Sequence, residues 1–316
     1  MGIHHVTAIA GDPQQNLNFY TGVLGLRLVK LTVNFDDTGT YHLYYGDEMG
    51  RPGTILTFFT WPGSPKGRTG VGQPLAVSLA IPEVAVSYWV ERLIRFGIAF
   101  KGPIAKLGNP VLEFTDPDGM NLELVGDSSV NSVPGWSGGP VPQESSIRGI
   151  FGVTLLESAV EPTGDILTGP LGYLGGKSEE ALHRFRSAGK GTGMHVDVRS
   201  VGGFWSGAMG IGAIHHVAFR AKGGEDQLKL RAMLIEQGTP ATQVLDRRYF
   251  HSVYFHEPGG VLFEIATDGP GFTVDEPLER LGTSLKLPPW LESENEAIQR
   301  RLPPIELPAG KPPKKP

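Results

Sequence analysis

Residues 3–6 read IHHV, and residues 214–217 read IHHV again. These two stretches hold four of the chain's nine histidines, so either two core strands look alike by accident or two halves of one site stand far apart in sequence. The surroundings favour the second reading. GIHHVTAIA reads as a strand, GDP supplies Asp12 as a helix cap with Pro13 at the first helical position, and Leu17, Tyr20 and Leu24 recur at helical spacing up to Gly25. Three further strands follow, around residues 28–35, TYHLYYGD and TILTFFTW. The unit is βαβββ.

The same order can be read three more times, which makes an internal repeat the best description of the chain. In the second unit LAVSLAIP is the first strand, VSYWVERLIRFG the helix and PDGMNLELV the last strand. In the third, IFGVTLLE leads to LTGPLGY as the first leads to YTGVLGL; Val6 to Thr21 and Val153 to Thr168 are both 15 residues apart. The fourth begins at IHHVAFRA, continues through EDQLKLRAMLIEQG and ends in PGGVLFEIAT. This divides the chain into an N-terminal pair of units at 1–126, a Gly/Ser/Pro-rich linker at 127–146, a C-terminal pair at 147–270 and a Pro-rich extension at 271–316, whose GKPPKKP end is expected to be disordered.

Alternation in a strand sends His5 and Thr7 one way and His4 and Val6 the other, so one histidine of each pair is expected to enter a given site. The position of His5 is taken by Ala76, Gly152 and His216 in the other units. Six residues beyond the Pro of the last turn stand Phe58, Glu123 and Glu264, with Asp197 as the loose counterpart in the third unit. Ala76 to Glu123 is 47 residues and His216 to Glu264 is 48, so the register holds.

Such βαβββ units are the building blocks of the vicinal-oxygen-chelate superfamily (glyoxalases, bleomycin-resistance proteins and extradiol dioxygenases), which the chain resembles over almost its whole length. IHHVT, TYHLYYGDEMGRPGT, IHHVAF and PGGVLFE together are similar to its hydroquinone ring-cleaving branch, that of dichlorohydroquinone 1,2-dioxygenase and the MhqO-type enzymes. The resemblance implies an α+β fold of four modules curled into two cup-shaped mixed-sheet barrels. It also implies Fe(II) held by His5, His216 and Glu264, with Thr7, Arg247 and Tyr254 close to the substrate and His4 and His215 in or near the layer directly behind the ligands. The spacing is consistent with these ligands if module 1 pairs with 4 and module 2 with 3. That pairing leaves Ala76, Glu123, Gly152 and Asp197 in a second cup without imidazole, and Phe58 at the fourth position of the first. Sequential pairing would instead set His5 with Glu123 and His216 with Glu264. A two-histidine, one-carboxylate face suits non-haem iron that must admit substrate and oxygen, and the same donors accept Mn(II).

The rest of the chain narrows the reading by exclusion. At 316 residues, with 40% hydrophobic and 19% charged side chains, it has the balance of a globular protein with a sizeable core. A net charge of -5 without a basic cluster before the last few residues argues against nucleic acid. Absence of cysteine excludes thiolate ligands and disulfides. The N-terminus carries no signal-like segment, so a cytoplasmic protein without membrane partners is expected. The partners expected are a small aromatic substrate and O2, with homo-oligomerisation open. GKGTG at 189–193 lacks phosphate-loop spacing, HEPGG at 256–260 is not a zinc-protease motif, and the tyrosines and histidine of YHLYYGD read as half-buried strand residues. Two rival readings remain: a glyoxalase-like isomerase or lyase using Zn or Ni, and a metal-free protein that sequesters a flat aromatic drug.

Overall fold

The computed structural model describes residues 1–308; the GKPPKKP end lies outside them. Four βαβββ modules follow one another. The first comprises β1 (Ile3–Ala10), α1 (Pro13–Leu17), β2 (Arg27–Asn34), β3 (Asp37–Gly46) and β4 (Ile55–Thr60). The second has β5 (Gln73–Ile81), α2 (Val86–Arg95), β6 (Phe100–Lys106), β7 (Asn109–Thr115) and β8 (Asn121–Gly126). The third has β9 (Gly149–Glu157), α3 (Glu161–Thr168), β10 (Tyr173–Glu179), β11 (Leu182–Ser187) and β12 (His195–Ser200). The fourth has β13 (Ile214–Ala221), α4 (Gly224–Glu236), β14 (Leu245–Asp246), β15 (Phe250–His256) and β16 (Leu262–Pro270).

The strands form two mixed sheets of eight. Their orders are β14-β15-β16-β13-β1-β4-β3-β2 and β10-β11-β12-β9-β5-β8-β7-β6. Module 1 thus adjoins module 4, through antiparallel β1 and β13, and module 2 adjoins module 3 through β5 and β9. Within each module the first strand lies parallel to the last, which the intervening helix permits by carrying the chain back.

Alternation assigns each strand two jobs. In the second module Val77, Leu79, Leu112, Phe114, Leu122 and Leu124 turn outward and join Trp89 and Leu93 of α2 in the main core. In the first, Tyr20 stacks on Tyr45 and meets Phe58, and its buried hydroxyl donates to Asp116. The residues between these, His5, Thr7, Thr57 and Glu264 among them, occupy the cup face. Asp12 caps α1 by accepting from the Gln15 amide at 2.7 Å, and a wider helical turn continues through Asn18–Val23. Helical backbone therefore stops just short of Gly25, whose φ of 71° turns the chain into β2.

One local feature departs from alternation. Ile3 pairs with Phe219 and His5 with Ala218, so His4 is an extra residue in β1; Thr7 pairs with His216 and Ala8 with Ile214, so His215 is extra in β13. Leu75 and Phe151 are the equivalent extras where β5 meets β9. All four first strands carry this bulge, which belongs to the fold and locally re-aims side chains. The Pro-rich extension packs on the first sheet. Lys286 donates its amide to Leu31, Tyr41 donates to the Pro303 carbonyl, and Ile298 of α5 (Asn295–Arg301) is fully buried. Buried Lys30 meets Asp275 and Glu276 at 2.5 Å each. Among the described residues no helix is long and apolar enough to cross a membrane.

Candidate metal centre and pocket

The seam between β1 and β13 brings the two IHHV stretches together. His216 Nε2 lies 3.3 Å from His5 Nε2, and Glu264 Oε2 lies 3.3 Å from His5 Nε2 and 2.9 Å from His216 Nε2. Glu264 reaches them because β16 runs parallel to β13, with Glu264 level with Ala218. All three are buried, and they are the one such group of potential metal ligands among the described residues.

Three observations test whether this triangle fits a metal. First, Glu264 Oε1 accepts from Ser252 at 2.5 Å, whereas Oε2 is buried with no hydrogen-bond donor. A carboxylate oxygen in that condition is costly without a cation. Second, three donors on one face of an octahedral ion with bonds of about 2.1 Å stand roughly 3 Å apart, which matches the triangle's edges of 2.9 to 3.3 Å. Third, the far nitrogens are already engaged. His5 Nδ1 meets His4 Nδ1 at 3.0 Å, and His216 Nδ1 meets His215 Nδ1 at 2.8 Å. If Nε2 is free for a cation, Nδ1 carries the hydrogen and donates, so His4 and His215 must be neutral acceptors. Burial, then the neighbouring imidazole, lowers both to about 3, which keeps them neutral. The residues fit a divalent metal.

Strand alternation alone sends His4 and His215 to the face away from His5 and His216, and these contacts depart from that alternation. The bulge makes each the extra residue of its strand, so its imidazole comes to the back of the neighbouring one. Ordinary alternation would have separated them.

The triangle opens into a pocket lined by Thr7, Asn34, Phe35, Asp36, His42, Tyr44, Phe59, Arg247, Phe250 and Tyr254. Phe250 lies 4.9 Å from the His5 ring, and Tyr254 meets His216 edge-on at 5.7 Å. Arg247 stands 5.5 Å over the Tyr254 ring and pairs with Asp36 of the first module at 3.0 Å. Burial would weaken its basicity, but Tyr254 and Asp36 outweigh that and hold it firmly cationic. Burial, then nearby Glu264, raises the Tyr254 phenol. Burial also opposes ionisation of Glu264, yet His5 and His216 hold it well below the usual carboxylate range. A larger pocket, among the loops around Lys66, Asp118 and Gly212, contains none of these groups.

Phe58 does not occupy the fourth ligand position. Thr7 pairs with Thr57, as Ala218 pairs with Glu264, so Thr57 is the structural equivalent of Glu264 and Phe58 turns into the core. Counting from the turn proline failed by one residue because the turn before β4 is one residue shorter. His42, read from sequence as a half-buried strand residue, lines the pocket; its two-residue spacing from Tyr44 in YHLYYGD was the available signal.

The second cup is closed to metal chemistry by its own contacts. A side chain at Gly152, the counterpart of His5, would meet the His195 carbonyl at 2.5 Å. Glu123 is spent on Ser78 and Lys106, at 2.6 and 2.7 Å, and Asp197 on both nitrogens of an Arg184 fork, at 2.7 and 2.8 Å.

Comparison with known proteins agrees with this geometry. Residues 2–124 match the family described as the Glyoxalase/Bleomycin resistance protein/Dioxygenase superfamily. The chain is 44% identical over 308 residues to "Putative ring-cleaving dioxygenase MhqO" of Bacillus subtilis (strain 168), covering 97% of each chain. It is 32% identical over 312 residues to the chlorohydroquinone/hydroquinone 1,2-dioxygenase of Sphingobium indicum, covering 95% of each. A crystal structure titled "putative dioxygenase from Bacillus subtilis subsp. subtilis str. 168" superposes with a TM-score of 0.93 at 44% identity, covering 98% of both chains. Near-complete coverage, shared module architecture and a histidine–histidine–glutamate triangle lead to one conclusion: the chain belongs to the glyoxalase/bleomycin resistance protein/dioxygenase superfamily and groups there with ring-cleaving dioxygenases.

Proposed function

We propose that this protein is a cytoplasmic, Fe(II)-dependent dioxygenase that opens hydroquinone-type or related phenolic rings with O2. The observation that carries the reading is the buried His5, His216 and Glu264 triangle, with its orphaned carboxylate oxygen, opening onto an aromatic-walled pocket to which Arg247 contributes a guanidinium. His5, His216 and Glu264 hold the metal, for which Mn(II) is the alternative ion. Bound there, Fe(II) supplies a redox centre able to couple an electron-rich ring to O2.

The remaining groups have tasks set by their chemistry. Phe35, Phe59 and Phe250 offer flat apolar walls to a ring. Arg247 attracts an anionic phenolic oxygen, exchanging part of its pairing with exposed Asp36 for the ligand. Tyr254, kept as the protonated phenol, donates a hydrogen bond to an oxygen of the ligand. His4 and His215 orient the ligand imidazoles by accepting from their Nδ1 hydrogens. Thr57 at the fourth position provides neither carboxylate nor imidazole, which disfavours the four-ligand isomerase.

The test is oxygen consumption by anaerobically Fe(II)-loaded protein given hydroquinone, methylhydroquinone and catechol, with metal content measured on the same sample. Uptake stoichiometric with loss of aromatic absorbance supports the reading and ranks substrates. Tightly bound Zn or Ni without uptake transfers support to an isomerase, and an aromatic-binding protein without metal replaces both.

A further inference from the structure

Beside the metal triangle, four side chains from three strands form a continuous hydrogen-bonded row. Tyr44 OH lies 2.9 Å from His42 Nδ1, His42 Nε2 lies 2.8 Å from Thr57 Oγ1, and Thr57 Oγ1 lies 2.9 Å from Thr7 Oγ1. Tyr44, Thr57 and Thr7 are buried. Thr7, His42 and Tyr44 line the same pocket as His5 and His216.

The direction of this row follows from counting hydrogens. Burial, above all, holds His42 well below the ordinary histidine value, so it is neutral and has one N–H. Burial likewise keeps Tyr44 a protonated phenol, and among the described residues its hydroxyl has His42 Nδ1 as its hydrogen-bond partner. An undonated buried hydroxyl is costly, so Tyr44 donates to Nδ1. The imidazole hydrogen then sits on Nε2 and is donated to Thr57. Thr57 donates in turn to Thr7, whose own hydrogen has no acceptor along the row and is left for the pocket.

We propose that Tyr44, His42 and Thr57 are positioning residues that fix the Thr7 hydroxyl as a hydrogen-bond donor toward an anionic oxygen of the bound aromatic ligand, favouring its phenolate form. The inference rests on the pocket being the aromatic site proposed above. It explains why a histidine that takes no part in the triangle occupies the cup face of β3, and why Thr57 stands where the fourth module has Glu264. A carboxylate at that position would accept from His42 but could not donate onward to Thr7.

The probe is 4-nitrophenol, titrated anaerobically into Fe(II)-loaded protein, because its visible absorbance distinguishes bound phenolate from bound phenol. Wild-type protein should bind it with a higher phenolate fraction than free probe at the same pH. Thr57→Val, nearly isosteric but without a donor, should bind about tenfold more weakly and with less phenolate, in line with loss of one hydrogen bond to a charged acceptor. Thr57→Ser should restore both, and His42→Ala should reproduce the Thr57→Val spectrum. An unchanged phenolate fraction in Thr57→Val, in protein that still consumes O2 with hydroquinone, overturns this inference alone. Failure of Thr57→Ser to restore the spectrum overturns it also, by reducing Thr57 to a packing role. A wild-type protein that neither binds the probe nor consumes O2 removes the proposed function and this inference together.

Discussion

Ser252→Ala isolates one hydrogen bond at the metal triangle. Ser252 and Glu264 are both fully buried, and the serine hydroxyl donates to Glu264 Oε1 at 2.5 Å. The carboxylate has no other donor on that oxygen, and no solvent reaches it to substitute. A hydrogen bond to a charged group contributes about 1.5–3 kcal/mol, so the metal-free variant should lose stability in that range. The bond also aims the second oxygen at His5 and His216. Outer partners of ligating groups are typically worth about 10–100-fold in metal affinity, which is about 1.4–2.7 kcal/mol. Anaerobic competition between the protein and a chelator for Fe(II) reads the affinity, and denaturant unfolding of metal-free protein reads the fold. Ser252→Thr keeps the hydroxyl but forces a methyl group into a filled site, at a cost of about 1–3 kcal/mol. It should therefore be destabilised yet bind Fe(II) nearly as wild type. Fe(II) affinity within twofold of wild type in Ser252→Ala, despite lost stability, would refute the claim that this bond orients a metal ligand.

Further perturbations address other levels of the structure. His5→Ala should lose bound metal and oxygen uptake together, since it removes one corner of the triangle; stoichiometric iron with full turnover would eliminate the site. His4→Ala and His215→Ala should each weaken metal binding about 10–100-fold by freeing the ring behind which they stand, measurable by the same chelator competition. Lys30→Met should destabilise the protein by about 3–5 kcal/mol, because buried Glu276 loses its cation and Asp275 keeps, among the described residues, only the Arg248 cation, 3.9 Å away. Burial, then Glu257, raises Glu157 from 4.5 to about 8. The native state therefore binds the proton more tightly than the unfolded chain, and this residue's contribution declines as pH rises from about 4.5 to 8. Glu157→Gln should gain stability relative to wild type between pH 5 and pH 8 in thermal melts, and parallel melting curves at both pH values would contradict that assignment.

Much of this was legible in the chain because strand and helix periodicities depend on local geometry alone. The βαβββ order, its fourfold repetition, the exclusion of thiolate chemistry and the choice of His5, His216 and Glu264 followed from alternation, spacing and composition, joined to a family resemblance. Errors arose where one residue of length mattered. A count from the turn proline puts Phe58 in the place of Thr57 because it cannot see that one turn is shorter, and a one-residue slip moves every side chain to the opposite face. Alternation alone sends His4 and His215 to the far face, against the place behind the ligands that the resemblance implies, because a bulge is a property of two paired strands and neither IHHV stretch carries a mark of it. His42 reads as an ordinary half-buried strand residue because Thr57 and Thr7 become its neighbours only when β3, β4 and β1 lie side by side.

Sequence by itself determined what each strand offers to its two faces, since that is fixed by the two-residue period of the extended backbone. Only the tertiary structure decided which strands meet. Pairing β1 with β13 placed Nε2 atoms of residues 211 positions apart within 3.3 Å, and the parallel run of β16 brought one carboxylate to both. The physical reason is that a ligand set is a property of distances between strands, and hydrogen-bond register across the sheet sets those distances independently of spacing along the chain.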